Sequence, residues 1–458
     1  MNLTANPKCK GLKMQILNTS DSAFRADFEA ILNRGNMDLE NASKIVNELL
    51  NDIRKNGIEA ILAHIAKFDS WNPQSLEDIK FSPKDMENAY NNLSAELKGA
   101  LKCAYNRITD FHAKQKQNSW LEYESDGTML GVKITPIARA GLYIPGGKAA
   151  YPSSLLMNAI PALVAGVGEI AVCSPTPQGE ANPLLLAAMH ICGIREAYKV
   201  GGASAIGLLA YGCAKSGIVK ADVITGPGNI FVACAKKLVF GDVNIDMIAG
   251  PSEIGIIADS TANPTHLAFD MLSQAEHDEM ASSILITNDK SLANAVSAEI
   301  ERILSALKRR EITRKSIDNR GAIIITRDLA QSIALMNEIA PEHLEIATQN
   351  PHDLLPFIKN AGAIFLGAYT PEAIGDYIAG PNHTLPTGGS ARFFSPLSVE
   401  HFVKKSSIIS FSPKAMHQIG DKCAILAQNE GLEAHQKSVE IRLQDLRKDL
   451  CENLGKSR

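Results

Sequence analysis

The chain lacks any CxxC cysteine pair, any strong charge bias and any wealth of aromatics: net charge is −4 and aromatics are 5% of 458 residues. The near balance of charge excludes a general attraction to nucleic acid or to an acidic membrane surface. The scarcity of aromatics argues against a base-stacking surface. Eight cysteines are scattered as Cys9, Cys103, Cys173, Cys192, Cys213, Cys234, Cys423 and Cys451. Several sit in apolar runs, as small buried hydrophobes do in a reducing compartment. Long apolar runs are also missing. The most apolar stretch, Leu155 to Cys173, is interrupted by Asn158, Pro161 and Glu169, which excludes a membrane span. The opening MNLTANPKCKGLKMQ has no apolar core of a signal peptide, so a cytoplasmic location is expected. There is no low-complexity segment and no short repeat.

What is present is the composition of an ordinary enzyme, 45% hydrophobic and long enough for two or more domains. The first 130 or so residues read as mostly helical, with apolar residues at helical spacing in Leu39–Lys55 and Pro83–Gln115. Short apolar segments then alternate with helical ones. Strands are expected at Glu169–Cys173, Ala197–Val200, Val223–Thr225, Ile254–Ala258, Ser283–Thr287, Ala322–Thr326 and Ala363–Leu366. Helices are expected between them, as at Pro183–Ile191, Ser291–Leu307 and Asp328–Glu338. This rhythm predicts an α/β fold with mainly parallel sheets, in blocks of about 143–251 and 252–396. In such sheets ligands bind beyond the carboxyl ends of the strands. From Val399 the rhythm is lost, and the chain ends in a charged helical tail, Gly431–Lys448.

Glycine turns cluster between residues 141 and 251: Pro145-Gly146-Gly147, Gly201-Gly202 and Gly226-Pro227-Gly228-Asn229. The last two follow strand candidates and open helices, where a helix N-terminus can face a phosphate. Simple strand-to-helix turn chemistry would use the same glycines. Gly166-Val167-Gly168-Glu169-Ile170-Ala171 matches GxGxxA but precedes a strand, so it is discarded as a dinucleotide fingerprint.

Asn263-Pro264 reads as the cap and first turn of a helix. Leu267, Met271 and Gln274 follow on one stripe, and His277 sits about a turn further on. A buried helix end that turns polar suits a metal ligand pair; a solvated helix terminus is the plainer alternative. In Pro341-Glu342-His343 a carboxylate can tune a histidine base, though an ordinary loop histidine fits as well. Asp376 and the polar loop from Pro381 through His383 to Gly389 are either functional or connecting. His435 lies on the charged tail, where solvent exposure is the default. Spacing alone does not bring Gln274, Asp376 and His435 together.

The run Ile245-Asp246-Met247-Ile248-Ala249-Gly250-Pro251-Ser252-Glu253, continued to Ser273-Gln274-Ala275-Glu276-His277, resembles the signature of the histidinol dehydrogenase family. Ala340-Pro341-Glu342-His343-Leu344, Gly375-Asp376-Tyr377, Asn382-His383-Thr384-Leu385-Pro386-Thr387 and Ala434-His435-Gln436-Lys437 join it in order. Tyr143-Ile144-Pro145-Gly146-Gly147 and Gly226-Pro227-Gly228-Asn229 resemble the family's cofactor-side turns. The resemblance runs from about residue 35 to 447.

The resemblance implies two Rossmann-like α/β domains with parallel sheets, a helical N-terminal arm and a C-terminal helical tail. The division is residues 1–36 for the arm, 37–142 with 252–396 for a larger domain, 143–251 for an NAD-side domain, and 397–458 for the tail. It implies a zinc ion in each subunit, held by Gln274, His277, Asp376 and His435. Glu342 and His343 become the acid/base pair. Ser252, His383 and Glu430 become substrate contacts beside His343 and the metal ligands. Tyr143, Ser204 and Asn229 become NAD contacts. Ser204 departs from the family's usual glutamine and reaches less far. The implied reaction takes L-histidinol through a bound aldehyde to L-histidine with two NAD, the last step of histidine biosynthesis. The implied assembly is a homodimer whose tail, with Glu430 and His435, serves the partner's site, with no nucleic acid and no membrane involved. Rival readings are a dehydrogenase of another amino or sulfonated alcohol, a zinc hydrolase with Glu342 activating water, or a silent nucleotide-binding scaffold.

Overall fold

The computed structural model describes residues 14–35, 39–146 and 151–456. Cys9, Gly147 and the start of the expected arm lie outside the described residues. The chain divides into two compact units: residues up to Lys116 with Ile137–Phe402, and Gln117–Pro136 with the chain from Val403.

The first unit holds two parallel sheets. The smaller runs, in spatial order, Glu196–Tyr198, Glu169–Cys173, Arg139–Tyr143, Val223–Thr225 and Asn244–Ile245. The strand that comes first in the chain is central, the next two go to one side and the last two to the other. The direction in which strands are added therefore switches between Arg139–Tyr143 and Val223–Thr225, and in such parallel sheets the carboxyl ends at the switch point are where ligands bind. The larger sheet runs Gln15–Asn18, Gly321–Ile325, Ser282–Thr287, Glu253–Ala258, His343–Ala347 and Ala363–Leu366. Its last five strands repeat the order of the smaller sheet.

These strands carry near-continuous apolar runs because helices cover both faces. Glu253–Ala258, Ser282–Thr287 and Gly321–Ile325 are buried at every position. At Gly255 a Cβ would lie 2.5 Å from the Met336 sulfur, so glycine lets the helix Leu329–Ile339 lie close. Helix starts follow their caps: Asn263 accepts from the Thr265 amide, Asp289 from Leu292 and Asp328 from Gln331.

Three expectations are corrected. The arm is not wholly helical: Gln15–Asn18 is an edge strand paired with Gly321–Ile325, followed by the helix Phe24–Leu32. Four residues carry too little periodicity to announce a strand. The long helix expected over Pro83–Gln115 is two, Pro83–Asn92 and Ala95–Ala113, because Ser94 caps the second through the Leu97 amide. The C-terminal stretch is not wholly helical either. Val403–Ser410 is a strand, antiparallel to Met129–Pro136, which also pairs with Trp120–Tyr123. That three-stranded sheet belongs to the second unit, with the helix pair Pro413–Asn429 and Glu433–Lys456.

The helices Leu39–Asn56 and Ile58–Phe68, expected with the larger sheet, pack on the smaller one. Val46, Leu50, Ile53, Ile61 and Ile65 share a core with Tyr143, Leu209 and Val232. No helix of the described residues is long and apolar enough to cross a membrane.

Candidate active site

The helix Leu329–Ile339 ends at Ala340, which takes a left-handed conformation at φ +48° and is fully buried. Such a conformation in a residue with a side chain is strained and held by its surroundings. It turns the chain through Pro341 into Glu342 and the strand His343–Ala347. The register sets His343 beside Ile254 on one side and Ala363 on the other. The Glu342-His343 pair therefore sits at the amino end of the larger sheet, beside Ser252-Glu253. The candidate pair of this sheet thus lies at its amino end, not beyond the carboxyl ends where ligands were expected.

Two backbone groups of Glu253 organise the pair. Its amide donates to Glu342 Oε2 at 2.8 Å, and its carbonyl lies 3.0 Å from His343 Nδ1. Nδ1 is also 3.6 Å from Glu342 Oε2 and 3.8 Å from Glu372 Oε1. The other ring nitrogen, Nε2, makes no hydrogen bond and faces Asp376 Oδ1 at 3.4 Å. The Glu253 side chain is held from below by Arg34, whose Nη2 donates to Oε2 at 2.9 Å and to the Ile339 carbonyl at 3.1 Å.

Burial disfavours charge on every one of these groups. It pushes the Glu342 and Glu372 carboxyls up to about 8. It pushes Glu345 well above the usual carboxylate range, with Asp270 beside it adding to the rise. His343 is held well above the ordinary imidazole value, because Glu372, Glu342 and Asp376 outweigh the burial that opposes its charge. Asp376 is held below its ordinary value: burial works against its charge, but the close approach and charge of His343, with His383 and His277 nearby, prevail. His383 is lowered, chiefly by burial.

Gln274 ends the helix Pro264–Ala275, is fully buried, and has no hydrogen-bond partner on Oε1 or Nε2 among the described residues. A buried amide left this way is costly, and a bound cation would engage its Oε1. His277 points Nδ1 at the Gln274 carbonyl, 3.3 Å away, which leaves Nε2 for a ligand. His343, Glu372 and Asp376 each offer a ligand atom, all within 4.8 Å of one another. His383 also has a buried Nε2 without a partner. This is a mixed nitrogen and oxygen donor set, and it fits a divalent cation such as zinc.

The first unit thus joins His343, Glu342, Asp376, His277 and His383 around one locus, with Gln274 on the helix end that carries His277. Ser252 leads into the same strand as Glu253, and its carbonyl accepts from the Ser282 amide at 3.0 Å. Glu430 and His435 belong to the second unit, at the end of Pro413–Asn429 and in the first turn of Glu433–Lys456; both are exposed. Sequence reasoning missed Glu372, Glu253, Glu345 and Arg34. Glu372 stands four residues before Asp376 on the helix Glu372–Tyr377, the one spacing that could have marked it.

On the smaller sheet, Tyr143 ends its strand at the switch point and is buried, which pushes its phenol up to about 12. Its hydroxyl accepts from the Gly202 amide at 3.3 Å. Asn229 caps Ile230–Val239, accepting from Phe231 and Val232. Ser204 is buried and its hydroxyl is engaged by His64 Nδ1 at 3.0 Å, with His64 Nε2 on Asp52 at 3.0 Å. The polar loop is bonded to the helix Pro152–Ala165 and to the connection between the two sheets at Gly250. Asn382 donates to the Met157 carbonyl at 2.6 Å, Asn158 to Thr384 at 3.3 Å, and the Gly250 amide to Thr387 at 2.5 Å.

The family model described as histidinol dehydrogenase matches residues 32–443. The histidinol dehydrogenase of Helicobacter hepaticus is 62% identical over 434 residues, 95% of this chain and 99% of that protein. That of Wolinella succinogenes is 62% identical over 431 residues, 94% and 99% respectively. The crystal structure of histidinol dehydrogenase from Elizabethkingia anophelis superposes with a TM-score of 0.88 at 36% identity, covering 95% of this chain and 99% of that one. With a matching family model over most of its length and relatives of this similarity, the chain belongs to the histidinol dehydrogenase family.

Proposed function

We propose that this chain oxidises L-histidinol to L-histidine, using two NAD per turnover and a bound aldehyde between the two oxidations. The observation that carries the reading is the buried Glu342-His343 pair together with a fully buried Gln274 side chain that has no hydrogen-bond partner among the described residues. Alcohol to carboxylate is a four-electron change, so two hydrides must leave the same carbon. NAD would be held by Tyr143 and Asn229 and would supply the hydride acceptor for each half. Zinc would be held by Gln274, His277, Asp376 and His435, and would anchor the imidazole and amine of the substrate.

His343 takes the hydroxyl proton in the first half. Its Nδ1 is fixed on the Glu253 carbonyl, so Nε2 is the nitrogen presented to substrate. Glu342 and His343 then assist addition of water to the aldehyde carbon. The resulting gem-diol gives up a second proton to His343 as the second hydride leaves. Ser252 and His383 hold the substrate. Burial of the pair excludes bulk water and retains the reactive aldehyde. Ser204 acts on the cofactor side through His64 and not by direct reach.

We assign Glu430 and His435 to the site of a second copy of the chain in a homodimer. Their exposure, and the exposed Ile425, Leu426, Leu432 and Ile441 on the same helix pair, support that assembly.

The test mixes purified protein with L-histidinol and NAD and counts NADH per substrate. Two NADH with histidine as product are expected, with activity lost on chelation and restored by zinc. Turnover of histidinol derivatives without NAD would point to a hydrolase. Oxidation of another alcohol with none of histidinol would overturn the substrate.

A further inference from the structure

The turn Gly226-Pro227-Gly228 leaves the strand Val223–Thr225 at the switch point, where sheet pairing has ended. Gly226 adopts φ +122°, and a Cβ there would lie 1.9 Å from the Tyr143 carbonyl oxygen, so the turn is wedged against the neighbouring strand end. Both of its backbone groups are taken by one buried ion pair. The Gly226 amide donates to Asp246 Oδ2 at 2.9 Å, and Lys236 Nζ donates to the Gly226 carbonyl at 3.0 Å. Lys236 and Asp246 also pair directly, with side chains 2% and 0% exposed. Asp246 is itself fixed: its Oδ1 accepts from the Met247 amide at 2.6 Å, and its own amide donates to the Ile224 carbonyl at 3.2 Å.

Three segments converge on this turn. Lys236 comes from the helix that Asn229 opens, Asp246 from just beyond the neighbouring strand Asn244–Ile245, and Gly226 from the strand end itself. A buried ion pair seldom adds stability over a well-packed apolar pair, because desolvation consumes the Coulombic gain. What it adds is direction: one carboxylate and one ammonium bind one amide and one carbonyl and allow no other setting of the turn.

We propose that Lys236 and Asp246 are positioning residues that set the Gly226–Asn229 turn for the dinucleotide and thereby fix NAD affinity, without touching NAD themselves. This rests on reading that turn as the cofactor site. Preorganising a turn strengthens binding by removing the ordering cost at the moment of association.

The experiment measures NAD and ADP-ribose binding by calorimetry, without substrate, in three proteins. The apolar double variant Lys236→Met/Asp246→Leu should remain folded and keep its affinity for histidinol, yet bind NAD about tenfold or more weaker. Asn229→Asp keeps the capping oxygen but sets a carboxylate at the turn, and should weaken NAD by repelling its phosphates. A folded double variant that binds NAD as the natural chain does, while Asn229→Asp weakens it, overturns the positioning role alone. An Asn229→Asp variant with unchanged NAD affinity overturns the cofactor reading and the inference with it. Should the double variant fail to fold, Asp246→Asn keeps the volume but leaves one acceptor oxygen for the two amides of Gly226 and Met247, and no charge for Lys236. A loss of about threefold or more is then expected, and none overturns the proposal.

Discussion

At the residue scale, His343 is set by two opposed effects, and the charges win. Burial alone would make it a weak base, but Glu372, Glu342 and Asp376 stand within 4 Å of its ring nitrogens and restore its basicity. His343→Ala should therefore lower kcat by about two to four orders of magnitude while histidinol affinity changes little. A loss of affinity with turnover intact would remove it from the role of base. Glu342 gives a second, separable test in the metal-free protein. Its carboxyl is raised from 4.5 to about 8 by burial, so the native state binds this proton more tightly than the unfolded chain. That contribution is fully present below the unfolded value and is lost as pH rises through the folded one. The melting temperature should accordingly fall between about pH 5 and about pH 8.5, and Glu342→Gln should flatten the fall. The site was partly legible beforehand. Gln274 is visible as the polar member of an apolar helical stripe, and Glu342-His343 as neighbours. Glu372 was not, because a six-residue helix carries no stripe, and Arg34 has no local mark.

At the element scale, the strand Glu253–Ala258 acts as a jig. Its first residue holds Glu342 by an amide and His343 by a carbonyl, and is braced from the N-terminal segment by Arg34. The Arg34 and Glu253 side chains are 6% and 4% exposed. Arg34→Met strands a buried carboxylate and should cost about 3–5 kcal/mol in denaturant unfolding. Restoring neutrality with Arg34→Met/Glu253→Gln should recover much of that loss. If the double variant is no more stable than the single one, the brace is packing and not charge. Strands such as Glu169–Cys173, Val223–Thr225 and Ala363–Leu366 were legible from continuous apolar runs and fall where the sequence places them, whereas Arg139–Tyr143, central in the smaller sheet, was not among those expected. Gln15–Asn18 and Val403–Ser410 were not legible either. Each is an edge strand whose partner lies far along the chain, and neither has a fully buried face to write a pattern.

At the scale of the molecule, the two sheets of the first unit share a strand order but are used from opposite ends. The smaller offers the carboxyl-end crevice suited to a dinucleotide; the larger offers its amino end, where Glu342 and His343 stand. The loop from Asn382 to Thr387 is bonded to Met157 and Asn158 on one side and to Gly250 on the other. Glu430 and His435 lie on the second unit, and the proposed homodimer would make a second copy a requirement for activity. That requirement is testable by mixing. His343→Ala spoils the base of its own first unit, and His435→Ala spoils the ligand it lends. Either homodimer should be inactive. Unfolded together and refolded as an equal mixture, half the dimers are hybrids in which one of the two sites is intact, so activity near about a quarter of the natural level is expected. If each subunit instead supplied its own His435, every site would carry one lesion and the mixture would stay as inactive as its parents.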